Sequence, residues 1–409
     1  MFVPMDLLYD YLEHIVNHDF VIYRFWPHGS KNIQDLVPKR DYTMLDSVTR
    51  PILIFHDQEP LNFDLYQSQN LEHTTWFKDW PLEFRQWWLN RNLRSACEVN
   101  VHDRCIVTHS EHNSAQVSLY QQHGFETVYV WSHALLSRDW YRYAMLDPRL
   151  QQPRSVKHDF NIYARAWSGT REYRLYFLSL ITDIAHHCRT TFSTQDQAHY
   201  LDYRFANSRY DIAKLDLENY FGDTSVSSHS SATYDAEHVC STGFDVVLET
   251  IFDEDRIHLT EKSLRPIACG QPFLLAAAAG SLSYLRGYGF QTFESVIDES
   301  YDLESDPVRR LHMITAEMKR IARMSSQQKN QLMQQCRHIV EHNQTHFFST
   351  DFFNQVVNEY IVNMQQAMLA VSQSRHGSEP RQHLAIYDRG PEFRGHPDAE
   401  PILRVLKTI

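Results

Sequence analysis

A predicted strand, a loop and a short helix bring together side chains that suit an anionic ligand. The strand ends in Glu249, and the helix starts with Thr260, Glu261 and Lys262. Thr260 is placed to cap this helix, whose free N–H groups and dipole attract anions. Arg265 lies three residues after Lys262, on the same helix face. The spacing suits a diphosphate, with Glu261 able to bind sugar hydroxyls. It also fits a plain surface helix with a Glu–Lys pair.

The same segment resembles the donor-binding motif of the α1,3-fucosyltransferases. In that family a strand ending in a glutamate leads through a loop to Thr-Glu-Lys, then to a basic residue and an apolar strand opened by proline. The matching elements in this chain are Glu249, Thr260-Glu261-Lys262, Arg265 and Pro272-Phe273-Leu274-Leu275. The continuation at 280–302 is similar to uncharacterised glycosyltransferase-like proteins of phages and large viruses.

The resemblance implies an α/β protein of the GT-B class, with two Rossmann-like domains whose parallel sheets face each other across a cleft. It implies a metal-independent glycosyltransferase that moves a sugar from a nucleotide-diphosphate-sugar donor to an acceptor hydroxyl. The nucleotide-sugar is then a co-substrate, and no cofactor is expected. The acceptor would be a glycan or another hydroxyl compound. By the same resemblance, the donor-binding residues are Glu249, Thr260, Glu261, Lys262 and Arg265.

A second group of cations follows the strand predicted at 160–165. Arg165 ends that strand, and Arg171 and Arg174 open the next helix. Arginine suits phosphate because its planar guanidinium binds two oxygens, and ligands gather at the carboxyl ends of parallel strands. In a GT-B enzyme this loop borders the cleft near the donor phosphates. We therefore add Arg165 and Arg171 to the predicted donor-binding residues, although Arg171 and Arg174 also suit a solvated helix face.

The first predicted domain holds the candidates for a general base. His56, Asp57 and Glu59 follow a short apolar run that is typical of a buried strand. A carboxylate at this edge of a parallel sheet could deprotonate the acceptor hydroxyl. We predict Asp57 as the catalytic residue, then Glu59, with His133 at the end of a later strand as a further candidate. The same carboxylates also suit a loop organised before a proline.

Two patterns suggest a metal site. The Asp-Glu-Asp run that starts at Asp253 has the D-x-D form of metal-dependent glycosyltransferases. It falls inside the donor motif, however, where a GT-B enzyme needs no metal. His109, Glu111 and His112 have a helical spacing that zinc ligands use, but a further ligand is not evident. We predict no metal.

Alternating strand and helix signals predict two parallel-sheet domains. The predicted strands cover 51–55, 104–108, 126–131, 160–165, 189–194, 243–250 and 271–278. The predicted helices cover 109–124, 168–187, 260–270, 281–289 and the long stretch 307–370. A proline-containing stretch at 147–159 is the predicted linker. The predicted domains are an N-terminal acceptor domain at 1–150, a donor domain at 158–345, a helical segment at 346–375 and an extended or disordered tail at 376–409.

Charge and cysteine usage narrow the class of protein. The net charge of −12 disfavours a protein whose main task is gripping nucleic-acid phosphate. No stretch reaches the ~20 apolar residues of a membrane helix, and a signal peptide is not expected. The six scattered cysteines are typical of a reduced, cytoplasmic protein. Two alternatives stay open: a viral glycosyltransferase that acts on hydroxylated DNA bases, and a non-catalytic GT-B module that binds a nucleotide.

Overall fold

The computed structural model describes residues 21–25, 52–56, 60–61, 105–122, 125–164, 167, 169–191, 208–212 and 233–374. The chain divides into two compact units. Unit 1 comprises Met1–Asp139 and Phe353–Ile409, and unit 2 comprises Trp140–Phe352. Unit 1 is therefore discontinuous in sequence, an arrangement that a linker at 147–159 does not anticipate. The predicted tail at 376–409 lies outside the described residues.

Unit 1 contains a parallel sheet whose described strands run in sequence order. Its strands are β1 (Val21–Phe25), β2 (Ile52–His56), β3 (Cys105–His109) and β4 (Glu126–Tyr129). Its helices are α1 (Ala115–Gln122), α2 (Ser132–Trp140, ending in unit 2) and the part of α9 (Thr350–Ser374) from Phe353 onward. Continuous apolar runs form β2 and β3, as expected for parallel strands that are covered on both faces.

From Phe353 onward, helix α9 belongs to unit 1, and side chains of this part make contacts there. The Asn363 amide Nδ2 donates a hydrogen bond to the carbonyl of Tyr129, at the end of β4, over 3.0 Å. The ring of Phe353 lies 5.4 Å from the guanidinium of Arg138 on α2. Periodicity predicts the helix, whereas these two long-range contacts decide which unit it joins.

Unit 2 contains a second parallel sheet, whose four described strands lie in the order β6-β5-β7-β8. Its strands are β5 (His158–Ile162), β6 (Cys188–Thr190), β7 (Thr242–Leu248) and β8 (Phe273–Ala276). Its helices are α3 (Tyr173–Leu180), α4 (Ala236–Ser241), α5 (Glu261–Ala268), α6 (Ser281–Gly287), α7 (Pro307–Ala322) and α8 (Ser326–Phe347). The protein is thus α/β with parallel, Rossmann-like sheets.

The order of the strands in unit 2 changes direction between β5 and β7. The chain leaves β5 through α3 to reach β6 on one side, whereas β7 lies on the other side and leads through α5 to β8. In open parallel sheets, ligands bind in the crevice outside the carboxyl ends of strands at such a switch point. Every residue of β7 is buried, so this strand forms the centre of the unit 2 core.

Two of the predicted helices are divided into shorter elements in the structure. The helix predicted at 168–187 is instead a 3-10 turn, the short helix α3 and a second 3-10 stretch, Thr182–His187. The stretch predicted at 307–370 is divided into α7, α8 and α9. Asp306 caps α7, and Ser325 forms a reciprocal capping box with Gln328 at the start of α8. Among the described helices, none combines the length and apolarity that a membrane span requires.

Candidate functional site

The Glu249 carboxylate joins the end of β7 to the start of α5. Its Oε1 accepts hydrogen bonds from the Thr260 amide over 2.9 Å and from the Ser263 hydroxyl over 2.6 Å. Its Oε2 accepts from the Thr260 hydroxyl over 2.7 Å and from the Thr250 amide over 3.2 Å. The side chain is fully buried. Glu249, predicted to bind the donor, therefore uses both oxygens to hold α5 in place.

The predicted helix cap is confirmed. Thr260 is the N-cap of α5, and its Oγ1 accepts a hydrogen bond from the Lys262 amide over 3.4 Å. The Lys262 ammonium lies 2.8 Å from Glu261 Oε1 and 3.2 Å from Thr260 Oγ1. The Lys262 side chain is 26% exposed, whereas that of Glu261 is 8% exposed. Lys262 is thus the cation that this helix start presents to solvent.

Arg265 faces the interior of unit 2. Its guanidinium lies 4.0 Å from the Asp245 carboxylate of β7 and 4.1 Å above the ring of Tyr163. Burial raises the pKa of Asp245 to about 6, although the Arg265 charge lowers it. Burial lowers the pKa of the Arg265 guanidinium, but Asp245 and the neighbouring tyrosine and cysteine groups together raise it by more than burial lowers it. The helical spacing places Lys262 and Arg265 one turn apart, yet only Lys262 faces outward.

A chain of polar groups behind Arg265 was not predicted. The Tyr163 hydroxyl lies 2.6 Å from His238 Nδ1, and His238 Nε2 lies 3.2 Å from an Asp235 oxygen. Burial, together with the charge of Arg189, lowers the pKa of His238. A neutral imidazole that carries its hydrogen on Nε2 satisfies both contacts. The sequence contained one sign of this buried polar network. Asp245 is a carboxylate inside an apolar strand, and such a group requires a buried partner.

The start of α3 also binds the end of β7. The Arg174 guanidinium donates to the carbonyls of Leu248, over 2.6 Å, and Glu249, over 3.1 Å. The Tyr173 hydroxyl donates to the Glu249 carbonyl over 2.6 Å. Burial lowers the pKa of Arg174, and the charge of Arg171 contributes to the lowering. Arg174 is buried and structural, whereas Arg171 is half-buried in the preceding 3-10 turn.

The acidic loop after Glu249 is held by protein contacts. The Tyr210 hydroxyl donates to the Asp253 carboxylate, and the Arg256 guanidinium donates to Glu254 over 3.0 Å. Phe252 stacks on the ring of Tyr173 with ring centroids 4.3 Å apart. Within the described ranges, no three His, Cys, Asp or Glu side chains are grouped as metal ligands. Asp253 and Glu254 therefore hold this loop through contacts with the protein.

Three predicted site residues, Asp57, Glu59 and Arg165, lie outside the described residues. His133 was predicted at the end of a strand. This placement is wrong, because α2 already begins at Ser132 and the His133 side chain is buried in that helix. The structure brings together Glu249, Thr260, Glu261 and Lys262, with Arg171 on a neighbouring segment.

No protein-family model matches the chain, and no curated protein matches its sequence. Two segments, the start of α5 and the start of α3, both hydrogen-bond to Glu249 at the carboxyl end of β7. Each segment carries a partly exposed cation, Lys262 or Arg171. A helix start with nearby cations can bind a phosphate or diphosphate group.

Proposed function

We propose that this protein is a metal-independent glycosyltransferase of the GT-B class, which moves a sugar from a nucleotide-diphosphate-sugar to an acceptor hydroxyl. One observation carries the proposal: the Thr-Glu-Lys start of α5 is fixed by Glu249 beside the strand-order reversal of unit 2. Ligands of parallel-sheet proteins bind at that position. The likeness of the same residues to the fucosyltransferase donor motif supports the choice of donor class.

The proposed chemistry needs a site that stabilises a leaving diphosphate. The acceptor oxygen forms a bond to the anomeric carbon, and the bond from that carbon to the donor phosphate breaks. The diphosphate leaves with the electron pair, and a general base takes the hydroxyl proton. Lys262, Arg171 and the α5 dipole would stabilise the charge on the diphosphate. Asp57, with Glu59 as the alternative, remains the proposed base, and Arg165 remains a proposed donor contact.

Buried residues around this site would act by positioning. Glu249 orients α5, and Arg174 fixes the backbone at the end of β7. Glu261 lies against the Lys262 ammonium and restricts its position. Preorganised charges stabilise a transition state better than mobile ones, because little reorganisation is needed when charge develops. Replacing Lys262 should therefore weaken ligand binding directly, whereas replacing Glu249 should disturb the position of α5, the helix that carries Lys262.

A thermal-shift screen of nucleotide-sugars tests donor binding. The full chain is heated with GDP-fucose, GDP-mannose, UDP-glucose or UDP-galactose in the presence of EDTA. A ligand at about 100 times its dissociation constant adds about 2.7 kcal/mol of stability. We expect one nucleotide to stabilise the wild type and Lys262→Ala to remove most of that shift. Lys319→Ala is the matched control, since Lys319 is also an ion-paired lysine of unit 2 and is 28% exposed.

Turnover separates an enzyme from a binding module. The stabilising donor is incubated with oligosaccharides and with hydroxymethylated DNA, and release of nucleoside diphosphate is measured. Transfer to one acceptor class identifies the partner. A donor that binds but is not turned over with any acceptor indicates a non-catalytic nucleotide-binding module. Absence of stabilisation by every nucleotide contradicts the proposal.

A further inference from the structure

Unit 1 contains a cleft that the proposed donor site does not use. Its volume is about 820 Å³, within the range of about 300–1,000 Å³ that is common for small-molecule sites. One wall follows β3 and the start of α1, the floor includes residues of the edge strand β4, and the opposite wall is α9. All of these residues belong to unit 1.

The first wall is a rigid turn. Glu111 accepts hydrogen bonds from the Leu61 amide over 2.5 Å and from the Ser114 hydroxyl, while its own amide donates to His109 Nδ1 over 3.2 Å. Asn113 has a positive φ of 56°, which few residues other than glycine adopt readily. These contacts explain why the helix predicted at 109–124 begins only at Ala115, after the Ser114 cap. A wall held in this way is preorganised for a ligand.

The chemistry of the lining excludes most anionic ligands. None of the described residues that line the cleft is a lysine or an arginine. The lining has two carboxylates, Glu111 and Glu126, and both oxygens of Glu111 already accept hydrogen bonds from the protein. Glu126 is half-buried, and burial raises the pKa of its carboxyl. A phosphate would meet these two carboxylates with no lysine or arginine in the described lining to offset them. A cation would find both Glu111 oxygens already used in hydrogen bonds and would be left with Glu126, whose pKa is raised.

The remaining lining suits hydroxyl groups. Asn113, Asn363 and Gln366 carry amides, which both donate and accept hydrogen bonds. The Tyr129 ring lies edge-on to His112, with ring centroids 6.1 Å apart. Alternating hydroxyl groups and C–H faces are the features that amides and aromatic rings recognise together. Ala115 on α1 and Ala370 on α9 also line the cleft, and their small side chains leave the space between the two walls open.

We propose that this cleft is a binding site for an uncharged, hydroxyl-rich ligand of the saccharide class. The proposal does not rest on the proposed transferase activity, because the cleft and its lining are independent of unit 2. It also assigns a role to the His109, Glu111 and His112 pattern that differs from metal binding. His109 and Glu111 build the turn, and His112 lines the cleft.

Saturation-transfer NMR on the full chain, without any nucleotide, tests the proposal. The neutral probes are the methyl glycosides of mannose, galactose, glucose and fucose, with maltotriose as an oligosaccharide; choline and inorganic phosphate are the charged probes. Ala370→Trp and, separately, Ala115→Trp place a large ring in the cleft from opposite walls. Leu369→Trp is the matched control, since Leu369 is the neighbouring residue on α9, is 49% exposed and does not line the cleft.

We expect at least one neutral probe to bind the wild type and Leu369→Trp equally, and to bind both filled variants at least about tenfold more weakly. Stronger binding of maltotriose than of the methyl glycosides would identify a glycan chain as the ligand. Stronger binding of a methyl glycoside would identify a single sugar as the ligand. The proposal is overturned if no neutral probe binds the wild type, or if only choline or phosphate binds. It is also overturned if both filled variants have the melting temperature of the wild type and bind the neutral probe as well as the wild type. The melting temperature of each variant, compared with that of the wild type, serves as the folding control.

Discussion

The two parallel sheets place different chemistry beside their strands. In unit 2 the strand order changes direction between β5 and β7, and buried charges gather on or beside β7. In unit 1 the described strands run in sequence, and the described cleft lies beside the edge strand β4 with no lysine or arginine among the described residues that line it. The two sheets are similar, yet the site proposed beside one is for an anion and the site proposed beside the other is for a neutral ligand.

The difference follows from how each sheet uses carboxylates. Glu249 in unit 2 accepts hydrogen bonds at the start of α5 and leaves the nearby Lys262 to face solvent. Glu111 in unit 1 accepts hydrogen bonds from a backbone amide and a serine hydroxyl, and the rest of the described lining has one further carboxylate, Glu126, and no lysine or arginine. A carboxylate that is satisfied inside the protein determines geometry, and the side chains around it determine the charge of the ligand.

The largest stability effect is expected for Glu249→Ala. The change leaves the amide and hydroxyl of Thr260 and the Ser263 hydroxyl without their buried acceptor. We expect hydrogen exchange of α5 amides to lose about 3 kcal/mol of protection, because unsatisfied buried donors cost about 1–3 kcal/mol each. Glu126→Ala on β4 is the comparison in unit 1 and should cost less than about 1 kcal/mol. Equal losses in the two variants would contradict the assigned role of Glu249.

A smaller effect is expected for Gly243→Ala, at the contact between β5 and β7. A Cβ at this position would lie 2.8 Å from the Asp159 carbonyl oxygen, so the two strands must separate. The expected loss is about 1–3 kcal/mol in the free energy of unfolding of unit 2, as for other overpacked sites. Gly287→Ala is the control, since nothing lies within 4 Å of a Cβ there. Chemical denaturation measures both variants, and similar stabilities would show that β5 and β7 are not tightly apposed.

Asp245 gives unit 2 an unusual pH dependence. Its pKa is raised to about 6 by burial, against about 3.9 for an aspartate in an unfolded chain. The folded state therefore binds more protons between about pH 4 and pH 6, and this residue's contribution to the free energy of unfolding falls as the pH rises through that window. The slope is at most about 1.4 kcal/mol per pH unit. Asp245→Asn should remove it, and denaturation curves at several pH values would contradict this if the two proteins changed in parallel.

The smallest expected effect is a difference in how strongly salt weakens ligand binding at the two proposed sites. Nucleotide binding at α5 should weaken several-fold between about 0.05 M and about 0.5 M NaCl, because salt screens partly exposed charges. Glycoside binding in the unit 1 cleft should change less than about twofold over the same range. Titration calorimetry and ligand-observed NMR measure the two affinities. A strong salt dependence in the unit 1 cleft would show that charge governs it after all.

Local patterns predicted much of the fold. The predicted strands at 51–55, 104–108 and 243–250 are confirmed to within two residues, as β2, β3 and β7. Thr260 was predicted as a helix cap and is one. The strand β1, Val21–Phe25, was not predicted, although its β-branched and aromatic residues are typical of a strand. Buried apolar runs and caps depend on nearby residues, so the sequence displays them directly.

The direction in which each site residue points could not be predicted from spacing. Lys262 and Arg265 share a helix face, but Asp245 and Tyr163 lie beneath Arg265 and bind it inside unit 2. Such contacts join residues far apart in sequence, and only the packing of α5 on β7 reveals them. Glu249 illustrates the same limit, since a glutamate at a strand end suggests a ligand contact until its hydrogen bonds to Thr260 and Ser263 are seen.

The rate of sugar transfer by the Lys262→Ala variant is the most direct test of the central claim, that Lys262 stabilises the leaving diphosphate. The donor found in the nucleotide screen is supplied at saturating concentration with its acceptor, and product formation is followed for the wild type, Lys262→Ala and Lys319→Ala. Removing one preorganised protein group that stabilises developing charge typically slows the reaction by a factor of about 10²–10³. We predict a loss of that order in Lys262→Ala, with a native melting temperature and with Lys319→Ala unchanged. Wild-type turnover by a folded Lys262→Ala would contradict the account.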